Sequence, residues 1–221
     1  MRSDPAFDLV GVIDRRPGHA REVSARLGLR RHHAGERLAD IPWIDEVEAF
    51  TIGTSPASHA ALIGEALSLG RHVLTEKPFV MDPAEGARLV ALAREKHRVL
   101  AVVHNFQFAR SMRRLLGDVR AGRYGELRFV RAVQLGNPLR RLPAWYEELP
   151  LGLFYDESPH MFYLLRALAP APLEFLRAQV HESTTGKRTP AWISAHYAAG
   201  ATRIPVKLDM GFEAPLSEWH V

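Results

Sequence analysis

Cysteine is absent from the 221-residue chain, which excludes disulfide bonds and thiolate metal sites. Every apolar run falls short of the roughly 18 to 20 residues that a membrane helix needs. The first residues, 1–5, are not followed by the apolar core of a signal peptide. We therefore expect no membrane association and a cytoplasmic location. The sequence also contains no glycine-rich loop of the form G-x-G-x-x-G, which binds the pyrophosphate in many dinucleotide-binding folds.

Lysine is scarce, and most of the positive charge comes from arginine. The chain has 29 basic and 25 acidic residues, and its lysines are Lys77, Lys96, Lys187 and Lys207. The arginines are scattered or paired, without the basic stripe and interleaved aromatics that mark nucleic-acid binding. We therefore expect no nucleic-acid partner. The adjacent His32 and His33 have no neighbours at metal-ligand spacing, so no metal site is predicted.

The pattern of apolar residues changes near residue 104. Before it, short β-branched runs alternate with helical segments, which predicts a parallel sheet with crossover helices. After it, several strand-like runs follow one another without helices, which predicts an antiparallel sheet. We therefore predict an α/β fold with a partial Rossmann-type domain in residues 1–104 and a partial α+β domain in residues 105–221. The predicted strands are 8–14, 49–53, 72–75, 98–103, 126–135, 173–182, 192–198 and 203–211; the predicted helices are 18–27, 58–68, 82–96, 110–121 and 158–168.

Several polar residues follow predicted parallel strands, at the edge where open α/β sheets bind ligands. Asp14 ends the first strand, where an acid accepts hydrogen bonds from the adenine ribose and favours NAD; the alternative is a helix-capping Asp. Arg15 and Arg16 leave open a second interpretation, in which they stack on adenine or hold the 2′-phosphate of NADP. Further candidates to contact a cofactor are Thr54, Ser55, Pro56, His59, Glu76, Lys77 and Asn105.

Each of these short segments also has a plain structural interpretation. Thr54 to His59 suits a helix N-cap turn, and Glu76-Lys77-Pro78 suits a solvated turn, in which a cis bond before the proline would fix the direction of the lysine. Asp156 and His160 are spaced i, i+4, so they share one helix face if the helix begins by Asp156. That pair suits general acid/base chemistry, and the alternative is a capping Asp with a core His.

Taken together, these segments resemble the Gfo/Idh/MocA family of NAD(P)-dependent sugar and polyol oxidoreductases. The likeness rests on Asp14, the Thr54–His59 turn, the segment Gly70 to Pro78, the segment Val102 to Asn105, and Asp156-x-x-x-His160. It implies a Rossmann domain followed by an α+β domain whose open sheet mediates contacts in a homo-oligomer. It also implies a sugar, cyclitol or related polyol as substrate. In that interpretation Lys77 donates a hydrogen bond to the reacting hydroxyl, His160 is the general base, and Asp156 orients the substrate and His160.

The missing glycine loop is the chief departure from the family pattern. In the usual strand order 3-2-1-4-5-6 the absent strand is the central one, so we expect two open edges inside the sheet and poor NAD binding by these 221 residues alone. The chain thus resembles an interior piece of a longer enzyme. The main alternative is a catalytically impaired relative that serves as a binding or scaffold protein; a third is an NAD-dependent glycosidase.

Overall fold

The computed structural model of the chain describes residues 4–139, 144–169 and 172–221. The chain divides into two compact units, Met1–Val103 and His104–Val221. Within the described ranges, no helix has both the length and the apolar character needed to cross a bilayer.

The first unit alternates strands with helices. Its strands end close to their predicted positions, although β1 is confined to the last residues of the predicted run 8–14. Strand β2 was not predicted, because its sequence, His-His-Ala, has no apolar run. The elements are β1 (Val12–Asp14), α1 (Pro17–Arg26), β2 (His32–Ala34), β3 (Ala49–Ile52), α2 (His59–Ser68), β4 (His72–Thr75), α3 (Pro83–Glu95) and β5 (Leu100–Val102), with 3-10 helices at Leu38–Asp40, Ile44–Glu46 and Pro56–Ser58.

The parallel strands of this unit form two separate sheets. Strand β1 pairs with β2 in one, and the other has the order β3-β4-β5, with every pairing parallel. In the usual Rossmann order 3-2-1-4-5-6, the pair β2-β1 corresponds to positions 3-2, and β3-β4-β5 corresponds to positions 4-5-6. The gap between the two sheets therefore falls at position 1 of that order. The predicted Rossmann-type parallel architecture is thus confirmed, and it is divided in two.

Strand β3 is covered on one face only. Its side chains alternate, with Phe50 and Ile52 buried and Ala49 and Thr51 exposed. Strands of parallel sheets are normally covered on both faces, so one face of β3 lacks its usual layer. The covered side packs against an apolar core that includes Ile63 and a stretch of α3.

The second unit places helices against a five-stranded sheet of order β10-β6-β9-β8-β7. Its pairings are antiparallel except β6 with β9, which confirms the predicted mainly antiparallel sheet. Strand β10 was not predicted, and β6 begins later than expected. The elements are α4 (Arg110–Arg120), β6 (Val130–Leu135), α5 (Leu153–Leu168), β7 (Leu173–His181), β8 (Trp192–Ala199), β9 (Ile204–Gly211) and β10 (Glu218–His220), with 3-10 helices at Asn105–Phe108 and Ala144–Glu148.

Helix α5 begins at Leu153, earlier than the predicted start at Ser158, and includes Pro159. Its first turn is fixed from a distant part of the chain: the Leu153 N–H donates to the Thr189 hydroxyl at 2.8 Å. Gly152 precedes it with φ 52°, and a side chain there would collide with Thr189. The early start puts Asp156 inside the helix, as the i, i+4 interpretation requires.

Candidate functional site

Asp14 lies at the carboxyl end of β1 and is already engaged by basic neighbours. Its carboxylate accepts hydrogen bonds from the Arg16 backbone N–H at 2.8 Å and the Arg16 side chain at 3.1 Å, and it lies 2.6 Å from His19 Nδ1. These contacts, led by the Arg16 side chain, hold the pKa of Asp14 well below its usual range. Arg15 beside it is exposed. The strand end therefore presents a permanent carboxylate bordered by arginines.

The turn after β3 is open at its tip. Thr54 and Ser55 are exposed, and a Cβ added at Gly53 would touch nothing within 4 Å. Pro56 is buried at the start of the 3-10 helix, and the Ser58 hydroxyl lies 2.7 Å from Thr54 Oγ1 and 2.9 Å from the Ser55 carbonyl oxygen. The turn is thus internally braced, with its small polar residues accessible to a ligand.

Lys77 follows the neighbouring strand β4 within the same sheet. The preceding residue is tied to β3, because the Glu76 N–H donates to the Ile52 carbonyl at 2.8 Å. The Lys77 N–H donates to the Glu76 carboxylate at 3.3 Å, and the bond from Lys77 to Pro78 is cis. Glu76 and Lys77 are both half-buried. The structure therefore brings the Lys77 loop and the Thr54 turn to the same edge of one sheet.

His59 differs from its expected role as a surface contact. Its side chain is fully buried, with Nδ1 2.8 Å from the Pro78 carbonyl oxygen and Nε2 3.2 Å from the Thr54 carbonyl oxygen. A ring enclosed in this way cannot touch a cofactor directly. Its contacts instead join the Thr54 turn to the Lys77 loop.

In the second unit, Asp156 and His160 lie on successive turns of α5, and both are half-buried. The His160 ring is framed by aromatic rings: Phe106 meets it edge-on at 4.6 Å between centroids, and Trp219 lies 6.0 Å away. Glu157, which follows Asp156 in the sequence, is buried and accepts a hydrogen bond from the Gln134 side-chain amide. Asp156 and His160 therefore lie in a packed environment of polar and aromatic side chains.

His104 and Asn105 open the second unit. His104 is 7% exposed and stacks on Tyr163, with centroids 3.2 Å apart, and burial lowers the pKa of His104 to about 4. Asn105 is exposed at the start of a 3-10 helix, so a cofactor contact for it stays a prediction.

A cavity of about 570 Å³ lies beside the aromatic neighbours of His160, between α4 and α5. Its walls are mostly apolar, with Met112, Leu115, Met161 and Leu164 among them, which suits packing better than a hydroxyl-rich substrate. Over the part of the chain that the structure describes, no group of three or more His, Asp or Glu side chains is gathered to hold a metal ion.

Comparison with known proteins identifies the family. Residues 1–104 match the family described as "Oxidoreductase family, NAD-binding Rossmann fold", GFO_IDH_MocA. Over these residues, the chain is similar to the Gfo/Idh/MocA oxidoreductase family. The resemblance expected from the sequence is thereby confirmed.

Two curated Gfo/Idh/MocA relatives extend the match beyond residue 104. A 1-carboxy-3-chloro-3,4-dihydroxycyclohexa-1,5-diene dehydrogenase from Comamonas testosteroni is 29% identical over 216 residues, covering 96% of this chain and 51% of that protein. A dTDP-3,4-didehydro-2,6-dideoxy-alpha-D-glucose 3-reductase from Saccharopolyspora spinosa is 32% identical over 179 residues, covering 80% of this chain and 52% of that protein. The chain thus spans about half the length of these relatives. Both are named as enzymes, so the scaffold alternative gains no support.

Two solved structures show the same fold. The gentamicin A biosynthesis protein GenD2, in complex with NAD, has a TM-score of 0.82 at 24% identity, covering 98% of this chain and 62% of that chain. A 3-ketoreductase from Actinomadura kijaniata, in complex with TDP-benzene and NADP, has a TM-score of 0.77 at 23% identity, covering 96% of this chain and 63% of that chain. At these identities the likeness concerns the fold.

Three features near the candidate residues were not evident from the sequence. The aromatic neighbours of His160, Phe106 and Trp219, come from distant positions and carry no motif. The Gln134–Glu157 pair joins β6 to α5, which no local pattern indicates. His104 stands in a segment that supports the family resemblance, yet its burial and stacking depend on Tyr163 and could not be inferred from the segment itself.

Proposed function

We propose that the chain acts in an oxidoreductase that transfers a hydride between NAD(P) and a hydroxyl or carbonyl of a sugar, cyclitol or related polyol. The observation that carries this proposal is the position of Lys77. It follows β4 at the ligand-binding edge of a parallel sheet, beside the open Thr54–Ser55 turn, in a unit that matches an NAD-binding family.

Each of the three proposed catalytic residues has a separate role in the reaction. When bound, a nicotinamide supplies or accepts the hydride. The Lys77 ammonium donates a hydrogen bond to the oxygen on the reacting carbon, which stabilises charge that develops there. The His160 imidazole takes the hydroxyl proton during oxidation and returns it during reduction. Asp156, one turn earlier on α5, orients the imidazole and a neighbouring substrate hydroxyl.

The residues present fit part of the cofactor. Asp14 suits the adenine ribose, and the exposed Thr54–Ser55 turn suits the ribose or nicotinamide amide; Pro56, Glu76 and Asn105 complete the predicted set. The pyrophosphate has no glycine loop in these residues. We propose NAD as the preferred cofactor, because the Asp14 carboxylate stays charged and would repel a 2′-phosphate. Arg15 and Arg16 are the residues that would favour NADP instead.

The sheet of the second unit supports a proposed homo-oligomer. Strand β7 is an outer strand, and it exposes Phe175, Leu176 and Val180 by 60%, 49% and 52%. A long apolar edge is a common site of association between chains. We expect Leu176→Lys with Val180→Lys to lower the mass found by sedimentation equilibrium, whereas Val99→Lys, an exposed apolar position of the first unit, leaves it unchanged. A monomeric parent chain would refute the proposal.

The proposed reaction is tested by cofactor absorbance with a panel of sugars, cyclitols and polyols. The chain is joined to an added strand, a glycine loop of the form G-x-G-x-x-G and a helix, which supply a pyrophosphate site. We expect Lys77→Ala and His160→Ala each to lower the turnover rate by about 10²- to 10⁴-fold. Lys96→Ala, at an exposed lysine after α3, is the matched control and should keep full turnover. Full turnover in both site variants would refute the assignment.

A further inference from the structure

The His59 side chain connects two loops that the proposed function uses for different purposes. Its ring is 0% exposed at the first position of α2. Nδ1 lies 2.8 Å from the Pro78 carbonyl oxygen, and Nε2 lies 3.2 Å from the Thr54 carbonyl oxygen. One side chain therefore reaches a backbone carbonyl in each loop.

The two loops leave neighbouring strands side by side. Ile52 of β3 is paired with Thr75 of β4 at the last position of the register, and the Glu76 N–H bonds the Ile52 carbonyl. Beyond that backbone bond the two loops lead into α2 and α3. The His59 ring continues the connection past the end of the sheet, at Thr54 on one side and Pro78 on the other.

We propose that His59 is a positioning residue that sets the spacing between the Lys77 loop and the Thr54–Ser55 turn. The Pro78 carbonyl follows Lys77 directly, so holding it holds the backbone from which the lysine extends. The Thr54 carbonyl anchors the turn proposed to face the cofactor. This inference rests on the proposed function for its consequence, whereas the connection itself concerns the unliganded chain.

The chemistry of the ring separates this role from simple filling of the core. A neutral imidazole carries one N–H, so it donates fully to only one of two carbonyls, and the imidazolium donates to both. Phenylalanine keeps a ring of similar size without donors. The amide nitrogen of asparagine falls near the position of Nδ1, and that of glutamine near Nε2. Each amide can therefore restore a bond to one loop alone.

Hydrogen exchange followed by mass spectrometry on the full chain, without cofactor, tests the inference. A neutral ring donates to one of the two carbonyls, so we expect His59→Phe to speed exchange about five- to tenfold in the loop segment, 53–58 or 76–80, whose carbonyl accepts that N–H, and by a smaller factor in the other segment. His59→Asn should keep segment 76–80 protected and release 53–58. His59→Gln should give the reverse. Ser24→Ala is the control, because Ser24 Oγ also contacts two carbonyl oxygens, at Leu29 and Arg31, far along the chain from either loop.

Loop-selective rescue is the result that a space-filling role cannot produce. Unchanged exchange in His59→Phe, or equal release of both segments in all three variants, would overturn the inference. The outcome is separable from the proposed function: selective rescue together with full turnover in Lys77→Ala would leave the His59 connection standing and remove the catalytic assignment.

Discussion

Burial of His104 predicts that acid destabilises the second unit before its carboxylates are titrated. The ring is 7% exposed and stacked on Tyr163, and its Nδ1 is buried with no hydrogen-bond partner among the described residues. Desolvation lowers the pKa of His104 from 6.5 to about 4. The folded chain therefore keeps this ring neutral over a pH range in which the unfolded chain protonates it.

The sign and size of the effect follow from proton linkage. Above pH 6.5 both states carry a neutral ring, so His104 adds no pH dependence. Between pH 6.5 and about 4 the unfolded state binds the extra proton, so the free energy of unfolding falls as the pH falls. Since one pKa unit corresponds to about 1.4 kcal/mol, the total loss is at most about 3.5 kcal/mol.

Urea unfolding followed by tryptophan fluorescence measures this loss, because Trp192 and Trp219 lie in the second unit. We expect His104→Phe to keep the stacked ring and to flatten the pH dependence between about pH 6.5 and about pH 4. His181→Phe, at an exposed ring of β7, should retain the slope of the parent chain. A parent-like slope in His104→Phe would refute the argument from burial.

Three further predictions concern stability and cofactor affinity. Met161→Ala removes a fully buried side chain and should lower the free energy of unfolding by about 2–5 kcal/mol, against less than about 0.5 kcal/mol for Leu139→Ala at a position 90% exposed; equal losses would contradict the packing. The Asp209 carboxylate is 1% exposed and lies 2.9 Å from Arg131 and 3.1 Å from Lys207, so Asp209→Asn removes the anion that both cations contact. We expect it to lower the free energy of unfolding in urea by about 1–3 kcal/mol, and an unchanged midpoint would contradict this. Calorimetric titration of NAD into the 221-residue chain should give a dissociation constant weaker than about 1 mM, and micromolar binding would disprove the importance of the missing glycine loop.

Local signals account for the elements that the sequence predicted well. Strand β4 has its predicted bounds, and β3 ends one residue early, because each is an apolar run closed by a turn. Helix α3 begins where Asp82 accepts a hydrogen bond from the Ala84 N–H and Pro83 occupies the first turn. This helix start depends only on consecutive residues, so the sequence predicts it. The position of Lys77 at a strand end followed from the same local pattern.

The elements that were missed depend on partners far along the chain. Strand β2 has no apolar run and pairs because β1 lies alongside it. The start of α5 is fixed by a hydrogen bond to Thr189. The aromatic environment of His160 is formed by Phe106 and Trp219. The burial of His59 against two backbone carbonyls was not predicted, because such contacts leave no trace in a short motif.

A double-variant measurement tests the central claim most directly, because Lys77 and His160 are proposed to act on one proton-transfer step. The turnover rates of Lys77→Ala, His160→Ala and the double variant are compared on the best substrate of the panel, in the chain carrying the restored glycine loop. The proposal predicts that the double variant is about as slow as the slower single variant, since residues that act as a unit lose their effect together. Losses that multiply, so that the double variant falls by the product of the single effects, would contradict a shared step.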